Sequence, residues 1–337
     1  YDWGGAMNTN GFIPYDISIP TNPANHRWLG STPAGSALFF KIIGDSKKFG
    51  SYQFYIEANF NGYNARDFHL EKAYAMFGDY TVGYTNSAFS DPTAVPLTVD
   101  AQGPSSKINN TTIQARYSHS FKKKHITLGA SVEMPHNSID ANSTTTLSQN
   151  SWFPDVAGFL QYDIDRNQHV RLAGIMRVLP YRDLLTATNH SKVGWGAHLS
   201  SVFRINSPLT IYASANVGKG IAGITNDLIL GNFDLIENPN HAGKMVAPLS
   251  FGYYGAVQYH FLPNLFSTAI FGQECYKPEG SVPGNTYKYG IYSALNIFWN
   301  VTPRCEVGGE VNLGQRCNYD GSSNWARRVS LMVQFSF

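Results

Sequence analysis

Period-two alternation constrains this chain more than any other feature. From Tyr52 to Phe60 the even positions carry Tyr, Phe, Ile, Ala and Phe, and the odd ones Gln53, Tyr55, Glu57 and Asn59. Successive side chains of a strand point to opposite faces, so this segment is a strand with one apolar and one polar side. The final stretch repeats the pattern. Trp325, Val329, Leu331, Val333, Phe335 and Phe337 share one face, Arg328, Ser330, Gln334 and Ser336 the other, and Arg327 falls on the apolar side. Similar alternation recurs over 37–45, 69–77, 80–87, 111–120, 125–134, 156–165, 169–178, 193–204, 210–217, 251–260, 265–274, 287–299 and 305–315. Helical periodicity is nearly absent. The sum is about fifteen strands, each near the ~9–11 residues that carry a tilted strand across a bilayer.

Connections alternate in length as regularly as the strands alternate in polarity. Short turns fall at 44–50, 78–79, 121–124, 165–168, 206–208, 262–264 and 302–304, and longer connections at 62–66, 88–107, 135–152, 180–191, 218–248, 277–285 and 316–324. Short turns at one rim and long loops at the other specify an all-β fold, an antiparallel transmembrane β-barrel. About fifteen strands enclose too wide a bore for their own side chains to fill, so the expected interior holds water. Single-chain barrels of this kind have an even strand number with both ends on the short-turn side. The strand at 37–45 begins at the long-loop rim. The expectation is therefore one further strand before it, with residues 1–33 as a long loop and Tyr1 near the outer end of a mostly absent first strand. Dividing 337 residues among about sixteen strands leaves roughly 21 per strand with its connection, the ratio of pore-forming barrels.

Composition narrows the classes further. Charged residues supply only 14% and aromatic ones 14%, with Gly at 31 positions, which is not the charge-covered surface of an ordinary cytosolic enzyme. Lys plus Arg number 25 against 23 Asp plus Glu, too even a balance to indicate nucleic acid as a partner. The longest unbroken apolar run, 73–77, is far short of the ~20 residues of a spanning helix. Cys275, Cys305 and Cys317 show no metal-ligand spacing. Cys275 and Cys317 map to the long-loop rim, a placement open to a disulfide, while Cys305 lies by a short turn and is expected to stay unpaired. GxSxG, HExxH and P-loop patterns are absent from the sequence, and His119, His125, His169, His190, His198, His241 and His260 are scattered over separate strands and loops. Glu306 and Glu310 lie two pleats apart on one face, with no second feature to make them an acid/base pair. The expectation is no enzyme, no metal and no cofactor.

Two features point toward a known family. Phe337 closes an alternating strand, and a terminal aromatic there looks like the assembly signal of outer-membrane barrels. Tyr117, Phe121, Trp195, Phe203, Tyr259, Phe261, Tyr287, Trp299 and Trp325 lie near strand ends, as interfacial girdles do. Residues 83–104 carry Gly83, Thr85, Ser87, Phe89, Asp91, Pro92, Pro96, Asp100, Gly103 and Pro104, followed by Ile113, Gln114, Ala115, Arg116 and Tyr117. This order resembles the strand-to-loop passage of the DcaP-like outer-membrane porins, although Asn86 stands where that family commonly has an aromatic. The resemblance implies a homotrimer of sixteen-stranded diffusion channels in the lipid of the bacterial outer membrane. Segment 88–107 would fold inward as a constriction loop passed by small hydrophilic solutes.

Phe89, Asp91, Pro92, Pro96, Asp100 and Gly103 are then the constriction residues. The residues themselves suit a fixed loop, because two prolines and a Gly-Pro lower the entropy of a long connection. Asp91 and Asp100 are equally suited to capping turns. On the polar strand faces, Arg116, Arg171, Arg177, Arg204, Lys288, Arg316 and Arg328 outnumber Glu57, Glu133, Glu306 and Glu310. Charged rings set a pore's ionic preference, so a weak preference for anions is expected. The alternative is that several of these arginines pair with wall Glu and loop Asp and hold the loop. A different reading of the whole chain stays open at this point: a cell-surface barrel acting as receptor or structural partner through its long loops, 218–248 above all.

Overall fold

The computed structural model describes residues 1–4, 11–47, 50–62, 67–121, 123, 125–165 and 167–337. Its wall is a run of antiparallel strands in chain order, each hydrogen-bonded to the next. They are Ala37–Ser46, Gly50–Asn59, His69–Phe77, Tyr80–Asn86, Thr111–Phe121, Ile126–Glu133, Asp155–Asp165, Gln168–Asp183, Thr188–Asn206, Leu209–Lys219, Leu249–Leu262, Leu265–Lys277, Tyr287–Thr302, Cys305–Asn318 and Ser323–Phe335. The two-residue strand Asp2–Trp3 lies on the other edge of the last of these, with Asp2 opposite Arg328 and Trp3 opposite Arg327, and Arg27–Trp28 pairs with it in turn. Among the described residues the helical elements are single 3-10 turns, and no helix is long and apolar enough to cross a membrane. The architecture is the expected all-β transmembrane barrel.

Burial runs opposite to that of a soluble domain. Along Leu249–Leu262, Phe251, Tyr253, Val257 and Tyr259 are exposed while Gly252, Tyr254, Ala256 and Gln258 are buried. Leu331 is 85% and Leu295 60% exposed, whereas Thr268, Asn296 and Glu310 on the opposite face are 2% exposed or less. Water would not tolerate that pattern, but hydrocarbon does, because the ladders satisfy the backbone and the apolar row meets lipid. Paired aromatic rings mark the short-turn rim, Tyr80 with Tyr117 (5.1 Å) and Tyr259 with Phe261 (5.2 Å).

Two of the expected loops are largely strand. At 180–191 only 184–187 form the turn, because the ladder continues to Asp183 opposite Thr188. Pro180 has no N–H to donate, and its carbonyl accepts from the Gln149 amide (3.4 Å). Likewise 316–324 shrinks to 319–322 between Cys305–Asn318 and Ser323–Phe335. Polar sequence there suggested loop because a hairpin standing clear of the bilayer needs no apolar face. The connection 220–248 carries short strands Leu235–Glu237 and Met245–Val246, and the first pairs in parallel with Ile139–Asp140 of the preceding long connection. Within the expected turns and loops, residues 5–10, 48, 49, 63–66, 122, 124 and 166 lie outside the described residues.

Candidate functional site

Directly opposed strand residues share a face, so the register identifies the inner side of the wall. Tyr74 stands opposite Gly83, Gly83 opposite Gln114, and Gln114 opposite Glu133. Glu133 Oε1 accepts from the Ala88 amide (2.9 Å) and the Ser131 hydroxyl (2.6 Å). Connection 87–110 therefore packs against the inner face. Its first anchor is Phe89, fully buried with Ala88, Ile108, Ala157, Ala173, Ile175, Ile221 and Ile224. Arg171 donates to Ala88 O (2.6 Å) and lies over the Phe159 ring (3.7 Å).

Asp91 opens the 3-10 turn Pro92–Ala94, accepting from the Thr93 amide (3.3 Å) and hydroxyl (2.6 Å). Its other oxygen accepts from the Ser200 hydroxyl (2.6 Å) and lies 2.7 Å from His169 Nε2. Burial alone would raise this carboxyl, but the hydrogen bonds from His169, Ser200 and Thr93 outweigh it and hold Asp91 well below the usual carboxylate range. Pro92 is exposed and Pro96 buried.

Asp100 is the second fixed point. It accepts from the amides of Phe12 (2.7 Å), Gln102 (3.3 Å) and Gly103 (3.1 Å) and from the Tyr292 hydroxyl (3.2 Å). Gly103 turns its amide toward Asp100 at φ +75, a left-handed conformation open to glycine. Glu310 grips the same turn from the wall, accepting from the Val99 and Asp100 amides (3.0 Å each) and from Asn296 (3.1 Å) and Asn312 (2.9 Å). Burial pushes the Asp100 carboxyl up to about 6, with the Phe12 amide opposing and the Glu310 charge adding.

Two further segments share the lumen. Phe12 and Ile17 pack with Ala256, Ile270, Tyr292, Ala294 and Ala326, Arg316 donates to Tyr15 O (2.6 Å), and Arg328 pairs with Asp2 (2.6 Å) while lying over the Phe12 ring (5.5 Å). Connection 220–248 bonds to the first loop along its length: Asn109 N to Ile224 O and Asn226 N to Lys107 O (2.9 Å each), and the Ser105 hydroxyl to Asp227 (2.9 Å). Burial pushes Asp227 up to about 7, the Ser105 and Tyr287 hydroxyls opposing. Burial likewise lowers the Lys107 ammonium. Fully buried Arg177 ties this loop to the wall through Asp155 (3.1 Å), Asp234 (3.0 Å), Gly220 O (2.7 Å) and His136 O.

The remaining charged residues lie elsewhere. Arg116 is half-buried, reaching Asn86 O at 3.4 Å, and Glu57 pairs with Lys72 (2.8 Å). Arg204 is exposed, Glu306 is half-exposed near a short turn, and Lys288 lies over the Tyr319 ring (5.8 Å) at the opposite end of its strand. Sequence reasoning named His169 only as one of the scattered histidines and passed over Ser200, Asn296, Tyr292, Asp155, Asp227 and Asp234. Inward strand parity was the only mark on Ser200, Asn296, Tyr292 and Asp155, and Asp227 and Asp234, in connection 220–248, carried none. Cys275, Cys305 and Cys317 are free. Cys275 and Cys317 both face Tyr289, on strands either side of it. Two strand spacings, about 9–10 Å, exceed the reach of a disulfide.

On the inner face of Ala37–Ser46, Gly50–Asn59 and His69–Phe77 no described residue is buried, in contrast to the rest of the wall. Among the described residues these strands carry the uncovered part of the inner face.

No family model and no curated protein matches the sequence. Solved structures do match. The outer membrane channel DcaP of Acinetobacter baumannii superposes with a TM-score of 0.83 at 18% identity, covering 100% of this chain and 93% of that one. OmpT, an outer membrane protein of Vibrio cholerae, in its trimer form gives 0.53 at 10% identity over 89% and 99%. OprB of Pseudomonas putida gives 0.51 at 10% identity over 85% and 83%. The fold is that of bacterial outer-membrane porins.

Proposed function

We propose that this chain is an outer-membrane porin, a passive diffusion channel for small hydrophilic solutes with a weak preference for anions, working as a homotrimer. The observation that carries the reading is the inverted wall with an uncovered inner face along its first three strands. A plug filling the whole bore would have buried that face as well. In this reading the whole chain is one barrel domain and 88–107 is its constriction loop, fixed by Phe89, Asp91, Asp100 and Gly103. A trimer form of a protein with like fold supports the assembly.

The anion preference is modest because most of the wall's cations are engaged. Arg171, Arg177, Arg316 and Arg328 hold loop carbonyls or carboxylates. Lys41, exposed opposite Tyr55, and half-buried Arg116 are left to bias the passage, while Glu57 is paired with Lys72. Planar-bilayer recordings in a KCl gradient test this: a reversal potential showing slight anion preference is expected, and clear cation selectivity sinks it. The small outer sheet joining Ile139–Asp140, Leu235–Glu237 and Met245–Val246 favours a second reading, an ordered surface for a binding partner. Liposome swelling separates the two, since a purely adhesive barrel passes no sugar.

A further inference from the structure

We propose that the uncovered inner face is a binding track for linear oligosaccharides, whose pyranose rings lie on a ladder of aromatic side chains; this rests on the channel reading. Phe39, Tyr55 and Tyr74 stand on three successive strands. The Phe39 ring stacks on Tyr55 at 6.0 Å and 19°, and Tyr55 lies 5.3 Å from Tyr74 at 33°. In the register Phe39 opposes Glu57, Tyr55 opposes Tyr74 and Tyr74 opposes Gly83, the face that continues through Gln114 to the loop-holding Glu133. The ladder therefore looks into the bore and not into lipid.

Among the described residues, none buries these rings. Phe39 is 69% exposed, and Tyr55 and Tyr74 are partly so. Aromatic rings left bare on a largely polar inner face point to a ligand with apolar surface. The rings are also held in place. The Tyr55 hydroxyl donates to Glu57 (2.9 Å) and the Tyr74 hydroxyl accepts from Gln53 (3.2 Å), so little side-chain freedom remains to be lost on binding. Beside them Lys72 with Glu57 (2.8 Å) and Asn59 with Glu71 (2.6 Å) form a nearly neutral border of donors and acceptors. A pyranose has a C–H-rich face that suits an aromatic ring and a rim of hydroxyls that suits such a border. A flat aromatic solute would cover the rings but leave the border unsatisfied.

Maltohexaose block of ion current through the full chain in planar bilayers tests the track. Sugar-free conductance reports the channel itself. Added maltohexaose is expected to interrupt the current, and Tyr55→Ala and Tyr74→Ala to weaken that block about tenfold while sugar-free conductance is kept. Tyr55→Phe retains the block, and Phe39→Ala serves where a tyrosine variant does not insert. Normal conductance with no block, block by benzoate alone, or block untouched by the alanine variants overturns the track and leaves the channel standing. Absent conductance overturns the channel reading, and the track with it.

Discussion

Single carboxylates do much of the positioning. Glu310 meets two loop amides and two asparagine amides, so Glu310→Ala leaves several buried donors without an acceptor. The expected cost is about 2–4 kcal/mol, seen as a lower melting temperature in detergent, with larger and noisier conductance as the loop loosens. Unchanged current would show that Glu310 does not hold the loop. Asp100 and Asp227 give the loops a dependence on pH. Both keep a proton when folded up to about 6 and about 7, above the ordinary value of 3.8. Their contribution is therefore full below that ordinary value and is lost as pH rises through 6 and then 7. Current fluctuations should grow between pH 5 and 8, and Asp227→Asn, neutral throughout, should flatten the upper part of that rise. A flat profile in the unaltered chain rejects the idea.

At the scale of the strand, the two faces answer to different solvents. Leu295→Arg, on an outward row, should cost about 2–4 kcal/mol near the bilayer midplane and lower the yield of refolding into lipid vesicles, whereas Gln53→Arg on the inner face should refold normally. Equal yields for both would reject the facing assigned by the register. These strands were legible because lipid outside and polar contacts inside leave opposite marks on alternate residues, as in Leu249–Leu262. Where that contrast fades the sequence misleads. Hairpin 168–206 rises beyond the apolar zone with Pro180, Arg182 and His190 in paired strands, so its outer part resembled a loop. Ala37–Ser46 was read as a strand and is one, although Phe39 and Ile43 put apolar side chains on its inner face and weaken the contrast there.

At the scale of the molecule, three segments distant in sequence occupy one side of the bore, and among the described residues the inner face on the other side stays uncovered. The loop was visible from its prolines and from Asp91 and Asp100, but its partners were not, because a polar inward residue looks the same whether it meets solvent or a loop amide. Arg171 and Arg177 illustrate this: neither charge count nor parity distinguishes a buried tie from a wall charge facing water. Assembly is open to direct measurement. Native mass spectrometry from mild detergent should give three copies, and a strictly monomeric species would reject the homotrimer. The contacts that fix Asp100 also order events in time. Asp100 and Glu310 are 210 positions apart, and Tyr292, which also meets Asp100, is 192 away. Such distant pairings form late. In the channel reading, the seating of loop 88–107 thus waits during biogenesis for the closing strands, and a cylinder stalled before them would leak.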